Sequence, residues 1–178
     1  PADALVLDVN AFRKVIGHAL DFAASGQRIV TIGIKPTRPE TGYGYIAAGE
    51  AVADTMLMKV DSFREKPVLE VAQEYLQAGN YLWNAGIFVW NIDTITDSLR
   101  EFVPDLAARM DRMSEAFGTP CEADVVEEIF PTCEKISIDY AVMEKAPYIY
   151  TVPGDFGWSD VGTWGSLWTL LAHDADGN

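Results

Sequence analysis

The residues best placed for chemistry fall in four short polar insertions within an otherwise apolar chain. The last reads Asp155-Phe156-Gly157-Trp158-Ser159-Asp160-Val161-Gly162-Thr163-Trp164, with one carboxylate set between two glycines and two tryptophans. A charge among apolar rings calls for a cation or a strong donor. The glycines let backbone come close to whatever Asp160 holds. The same aspartate also reads as an N-cap for a helix over 161–171. Phe63-Arg64-Glu65-Lys66-Pro67 sets three consecutive charges at a strand end, pinned by a proline. Its carboxylate can hold a pair of hydroxyls and its ammonium can neutralise a phosphate; a solvated turn is the alternative. Trp83-Asn84-Ala85-Gly86 offers an amide that donates and accepts, which suits sugar hydroxyls, or else a β-bulge in which Asn84 satisfies local backbone. Pro39-Glu40-Thr41-Gly42-Tyr43-Gly44-Tyr45 gives backbone access at Gly44 and an aromatic floor at Tyr43, or an ordinary glycine hinge.

Regular elements must hold these insertions in place. Phe12, Val15, Ile16, Ala19, Leu20 and Ala23 repeat at helical spacing, with Asp8 or Asn10 as cap and Ser25-Gly26 as stop. Residues 28–34 then read as a buried strand, so helix and strand form an α/β crossover. A loop over 35–44 leads into strands near 45–48 and 56–63. Pro67 is expected in the first turn of a helix ended by Gly79. A central strand over 81–90 is interrupted by Asn84-Ala85-Gly86. Helices are expected over 92–102, 104–117 and 122–130, a short one capped by Asp139 through residue 145, a strand over 148–152, and a last helix over 161–171. The layout is an α/β sandwich with a mixed sheet.

Composition narrows the partners. With 178 residues, 49 % of them hydrophobic, the chain can bury one core and reads as a single domain, 1–178. Residues 1–66 hold eight Lys/Arg against eight Asp/Glu, and the remainder holds five against nineteen, so the whole net charge of -14 lies after residue 66. No basic face is available for nucleic acid. A small anion could still meet the stretch containing Lys35, Arg38, Lys59, Arg64 and Lys66. No apolar run reaches the roughly 20 residues of a membrane span. Cys121 and Cys133 fit neither a disulfide framework nor a zinc site and read as reduced cytoplasmic thiols. Pro1-Ala2-Asp3 carries no initiator Met and no secretory leader, so it reads as a boundary within a longer protein.

Taken together and in order, the insertions resemble the mannose-1-phosphate guanylyltransferases. The segment 32–46, the 63–67 turn, the 81–90 strand, Ser137-Ile138-Asp139-Tyr140-Ala141-Val142-Met143-Glu144 and the 157–162 loop are similar to five blocks of that family. The resemblance implies a Rossmann-like, GT-A-like nucleotidyltransferase α/β/α sandwich that uses Mg²⁺, GTP and mannose 1-phosphate to make GDP-mannose and pyrophosphate. It makes Asp3 and Asp160 the metal ligands and sets Lys66 with them as catalytic, in contact with phosphate. Tyr43, Gly44, Glu65, Asn84 and Asp139 become the substrate-binding residues. Two hard carboxylates suit Mg²⁺, and transfer of this kind depends mainly on positioning and charge neutralisation.

Three departures accompany the resemblance. Ala4 stands where the family usually has His after the first metal aspartate, and Ala85 stands where many members have Ser. The family's opening Gly-x-Gly-x-Arg block, which grips the nucleotide, does not occur in the 178 residues. The expectation is therefore the sugar- and metal-binding part of a domain whose nucleotide-binding part and central strands lie elsewhere, inactive on GTP by itself. Two rivals stand beside it: the guanylyltransferase part of a protein that also carries a phosphomannose isomerase domain, and a non-catalytic sugar-phosphate-binding subunit that completes its sheet as a homodimer.

Overall fold

The computed structural model describes residues 4–162, 164–172 and 174. Asp8 opens helix α1 (Val9–Ala24) by accepting from the Asn10 and Ala11 N–H groups at 3.0 and 2.9 Å, and Ser25 closes it. Its apolar row, Val15, Ala19 and Ala23, is buried against the sheet. Strand β2 (Ile29–Ile34) is buried along nearly its whole length because both its faces are covered. Val30 and Ile32 meet α1. Ile29 meets the opposite layer, which includes Leu99, Phe102 and Val103 around helix α3 (Ile92–Phe102), and Val142 and Met143 of a π-helical turn over Asp139–Met143.

The sheet is mixed. Strand β5 (Tyr81–Val89) runs antiparallel to β2, and β6 (Ile149–Gly154) runs parallel to it. Strand β3 (Tyr45–Ala51) joins β5 to β4 (Met58–Arg64). The sequence pattern did not reveal that β4 turns back onto β6 through Met58↔Thr151 and Lys59↔Tyr150, closing the order β2-β5-β3-β4-β6 on itself. A separate two-stranded ribbon pairs β1 (Leu5–Val6) with β7 (Trp158–Ser159). Helices α4 (Pro104–Ser114) and α5 (Glu122–Ile129) follow α3, close to the predicted ranges. Among the described residues no helix is long and apolar enough to cross a membrane.

Four local expectations are corrected. Helix α2 (Leu69–Ala78) starts after Val68, so Pro67 fixes the approach to the helix and is not in its first turn. Gly79 ends α2 at φ 76°, as expected. Asp139 is the first residue of the π turn, with Ile138 as its cap, and its side chain is used elsewhere. The last helix, α6 (Trp164–Leu170), begins late because Val161 sits at φ 52°, a left-handed conformation that a β-branched residue rarely adopts and that stops helix from propagating. Asp160 is consequently four residues ahead of the helix and is not its cap.

Candidate active site

The four insertions converge on one cleft of about 420 Å³. At one end stands Glu65, just past the last pairing of β4, Tyr45↔Arg64. Its Oε1 pairs with Lys66 Nζ at 3.1 Å, and its Oε2 is buried with no hydrogen-bond donor among the described residues. Gly44 makes that geometry available: a Cβ there would come 2.5 Å from Glu65 Oε2. Burial pushes the Glu65 carboxyl above the usual range, more strongly than the Lys66 ammonium draws it down, and Asp139 and Glu144 add negative charge nearby. Pairing with Glu65 raises the Lys66 amine as well. The Glu65 side chain is 11 % exposed and that of Lys66 60 %, so burial acts on the carboxyl and pairing governs the amine. Lys66 also sits at φ 45°, a strained backbone position of the sort that clusters at functional sites.

Asn84 forms the middle of the wall. Between Thr31↔Phe88 and Gly33↔Asn84, two steps along β2 face four along β5, and the excess is taken up around Gly86 at φ 69°. Asn84 Oδ1 accepts from the Gly86 N–H at 3.0 Å and the buried Thr31 hydroxyl at 2.9 Å, while Nδ2 donates to Asp139 Oδ1 at 3.4 Å. The bulge reading therefore holds for the amide oxygen. Only the amide N–H₂ has capacity left for a ligand, which narrows the donor-and-acceptor role expected of Asn84.

Asp160 stands at the other end. The Tyr43 hydroxyl donates to its Oδ1 at 2.5 Å. Burial, and then this bond to a carboxylate, hold the Tyr43 phenol well above its ordinary value. Tyr43 is wedged edge-on between Trp83 and Trp158, at 5.2 and 5.5 Å between ring centroids. Trp158 thus fixes Asp160 through Tyr43. Trp164, the second tryptophan expected beside the aspartate, is 87 % exposed. Arg38 stacks over Trp83 at 5.2 Å and pairs with Glu40, so it braces the 35–44 loop.

Three carboxylates (Glu65, Asp139 and Asp160) line the cleft, and no cationic side chain does so among the described residues. Lys66 lies beside it, paired to Glu65, and Lys35, Lys59 and Arg64 of the basic stretch do not line it. No group of three His, Cys, Asp or Glu side chains able to hold a metal occurs among the described residues. Asp3 lies outside those residues. Its chain neighbour Ala4 lines the cleft, and the ribbon pairing Leu5↔Ser159 ends one residue short of Asp160. The chemistry of Asp160 fits a hard cation: Oδ1 is fixed by a phenol, and Oδ2 occupies space that a Cβ at residue 162 would contest at 2.6 Å. Sequence reading missed Thr31 and Glu144, which do not line the cleft but hold Asn84 and the Glu65 backbone. Thr31, a polar residue inside an apolar strand, was the available signal for the first. Glu144, whose Oε1 accepts the Glu65 N–H at 3.1 Å, left none at helical spacing.

Comparison with known proteins identifies the family of the chain. A mannose-1-phosphate guanylyltransferase of Escherichia coli (strain K12) is 42 % identical over 181 residues, covering 99 % of this chain and 38 % of the relative. The xanthan biosynthesis protein XanB of Xanthomonas campestris pv. campestris (strain B100) is also 42 % identical, covering 100 % of this chain and 38 % of its own length. This chain thus spans well under half of these relatives. A solved structure named as a mannose-1-phosphate geranyltransferase from Thermus thermophilus superposes with a TM-score of 0.84 at 37 % identity, covering 98 % of this chain and 49 % of that one. One named as a mannose-6-phosphate isomerase from Helicobacter pylori gives 0.77 at 29 % identity, covering 89 % and 62 %. The nucleotidyl transferase family model matches residues 1–177, and the chain belongs to that family.

Proposed function

We propose that this chain is the sugar- and metal-binding portion of a mannose-1-phosphate guanylyltransferase acting in the cytoplasm. The observation that carries the reading is the buried Glu65 Oε2, an acceptor without a donor among the described residues, at the wall of a cleft that also holds Asn84 and Asp160. Leaving such an atom unsatisfied costs about 1–3 kcal/mol, and a hydroxyl of a bound hexose is the donor it lacks. The Lys66 ammonium beside it suits the sugar's phosphate.

In the proposed reaction an oxygen of mannose 1-phosphate bonds to the α-phosphorus of GTP while the bond from that phosphorus to the departing pyrophosphate breaks. The attacking phosphate is already ionised, so no side chain need remove a proton. Mg²⁺, when bound, would neutralise the charge gathered on the phosphates; Asp160 and, by family resemblance, Asp3 would hold it. This chain's own contribution is orientation. Glu65 and Asn84 hold the hexose, Lys66 steadies its phosphate, and Tyr43 with Trp158 keeps Asp160 still. An acidic cleft supports the need for a cation when two anionic substrates meet there.

Calorimetric titration tests the sugar half of this reading. Mannose 1-phosphate is expected to bind the chain saturably, and Glu65→Ala to weaken it by about tenfold or more. Equal affinity in the variant would contradict the assignment. A second reading, favoured by the likeness to the structure named mannose-6-phosphate isomerase, places this segment in a protein that also carries an isomerase domain. The coding sequence that follows residue 178 decides between the two.

A further inference from the structure

We propose that Glu144 is a positioning residue that holds the 64–66 turn and so aims Glu65 and Lys66 at the sugar phosphate, a role that rests on the substrate reading above. The β3–β4 ladder ends at Tyr45↔Arg64. One residue later the backbone must reverse into the left-handed position of Lys66, at φ 45°. The Glu65 N–H has run out of strand partners there, and a backbone donor near a half-buried turn needs an acceptor. Glu144, 79 residues away in sequence, supplies it with Oε1 at 3.1 Å.

The π turn brings Glu144 to that place. Its Glu144 N–H bonds to the Asp139 carbonyl at 2.9 Å, five residues back. In an α-helix, residues five apart point about 140° away from each other. The wider π wrap returns the chain to nearly the same side after five residues. Asp139 can then accept from the Asn84 amide while Glu144 accepts from the Glu65 N–H. One distorted turn therefore braces both the middle and the Glu65 end of the cleft wall. Glu144 is itself exposed, so little of the core depends on it. An exposed carboxylate spent on a distant backbone N–H serves the turn more than the core.

The test uses the full 178-residue chain with Glu144→Ala and Glu144→Gln. Three quantities are read: mannose 1-phosphate affinity, hydrogen exchange at the Glu65 amide, and melting temperature. Glu144→Ala is expected to weaken binding about tenfold and speed Glu65 exchange at least tenfold, with the melting temperature nearly unchanged. Glu144→Gln keeps an acceptor oxygen and is expected to restore both. If the wild type binds and Glu144→Ala binds as tightly, the positioning role is overturned. A Gln variant as impaired as Ala overturns it too, because charge would then matter more than the hydrogen bond. A wild type that does not bind mannose 1-phosphate overturns the substrate reading instead, and Glu65 exchange then reports separately on whether Glu144 holds the turn.

Discussion

The two ends of the cleft are built differently. The Glu65 end is braced from three directions: by the β3–β4 ladder, by Glu144 on the 65 N–H, and by the Thr31–Asn84–Asp139 chain alongside. The Asp160 end rests on a two-residue ribbon and a phenol hydrogen bond, followed by a left-handed Val161. A hexose with fixed hydroxyls is served by a rigid wall, since preorganisation lowers the ordering cost of binding. On the proposed reading, Asp160 would hold a metal, and a carboxylate in that role can sit on a lighter support. The prediction is that damage at one end changes metal response and damage at the other changes sugar affinity.

The largest effect is expected from Asp160→Asn in a full-length guanylyltransferase carrying this segment. Turnover should fall by about a hundredfold or more, with mannose 1-phosphate affinity nearly intact. Near-normal Mg²⁺-dependent turnover would mean that Asp160 serves structure alone. Next comes Tyr43→Phe, which removes the phenol bond to Asp160 and should weaken Mn²⁺ binding, read by paramagnetic resonance, by several-fold. Tyr43 carries a pH signature as well. Its phenol is held above the ordinary value of 10.0, so its contribution to stability is whole below that pH and is lost as pH rises through the folded-state value. The wild type's stability advantage over Tyr43→Phe should therefore shrink above about pH 10. An advantage independent of pH would contradict the burial and hydrogen bonding of the phenol together.

The smallest effect concerns Glu65 and stability. Burial raises its carboxyl, so the contribution of Glu65 to stability is greatest below the ordinary glutamate value of about 4.3 and declines as pH rises through the folded-state value. Glu65→Gln does not titrate. It should melt above wild type at pH 7 and lose that margin below about pH 4, even as it binds mannose 1-phosphate more weakly. A margin that grows toward acid would reverse the sign and refute the burial argument.

Much of the fold and the membership of the cleft was legible in the sequence, the contrast between its ends was not, and the unread part has physical causes. Periodicity found α1, β2, α3 and α4 because each buries a face against the sheet or its covering layer, and ordered motifs singled out Tyr43, Gly44, Glu65, Asn84 and Asp160, which the fold brings to one cleft. What escaped depends on contacts distant in the chain or on rare backbone. The β4–β6 closure joins strands some ninety residues apart through two residue pairs. Glu144 is reached only through a π turn, which no 3.6-residue pattern reveals. Val161 reads as a helix opener by composition, yet its left-handed φ delays α6 to Trp164 and removes that tryptophan from the site. Asn84 illustrates a subtler gap: its motif was visible, but the commitment of its oxygen to Thr31 and Gly86 was not.

Backbone amide resonances followed during titration of the chain with mannose 1-phosphate test the central claim most directly. Saturable shifts are expected at Gly44, Glu65, Asn84 and Gly86, smaller ones near Asp160 that grow when Mg²⁺ is added, and none along α4 and α5. Shifts centred on α4 and α5, or no saturable shift at the Glu65 end, would contradict that claim.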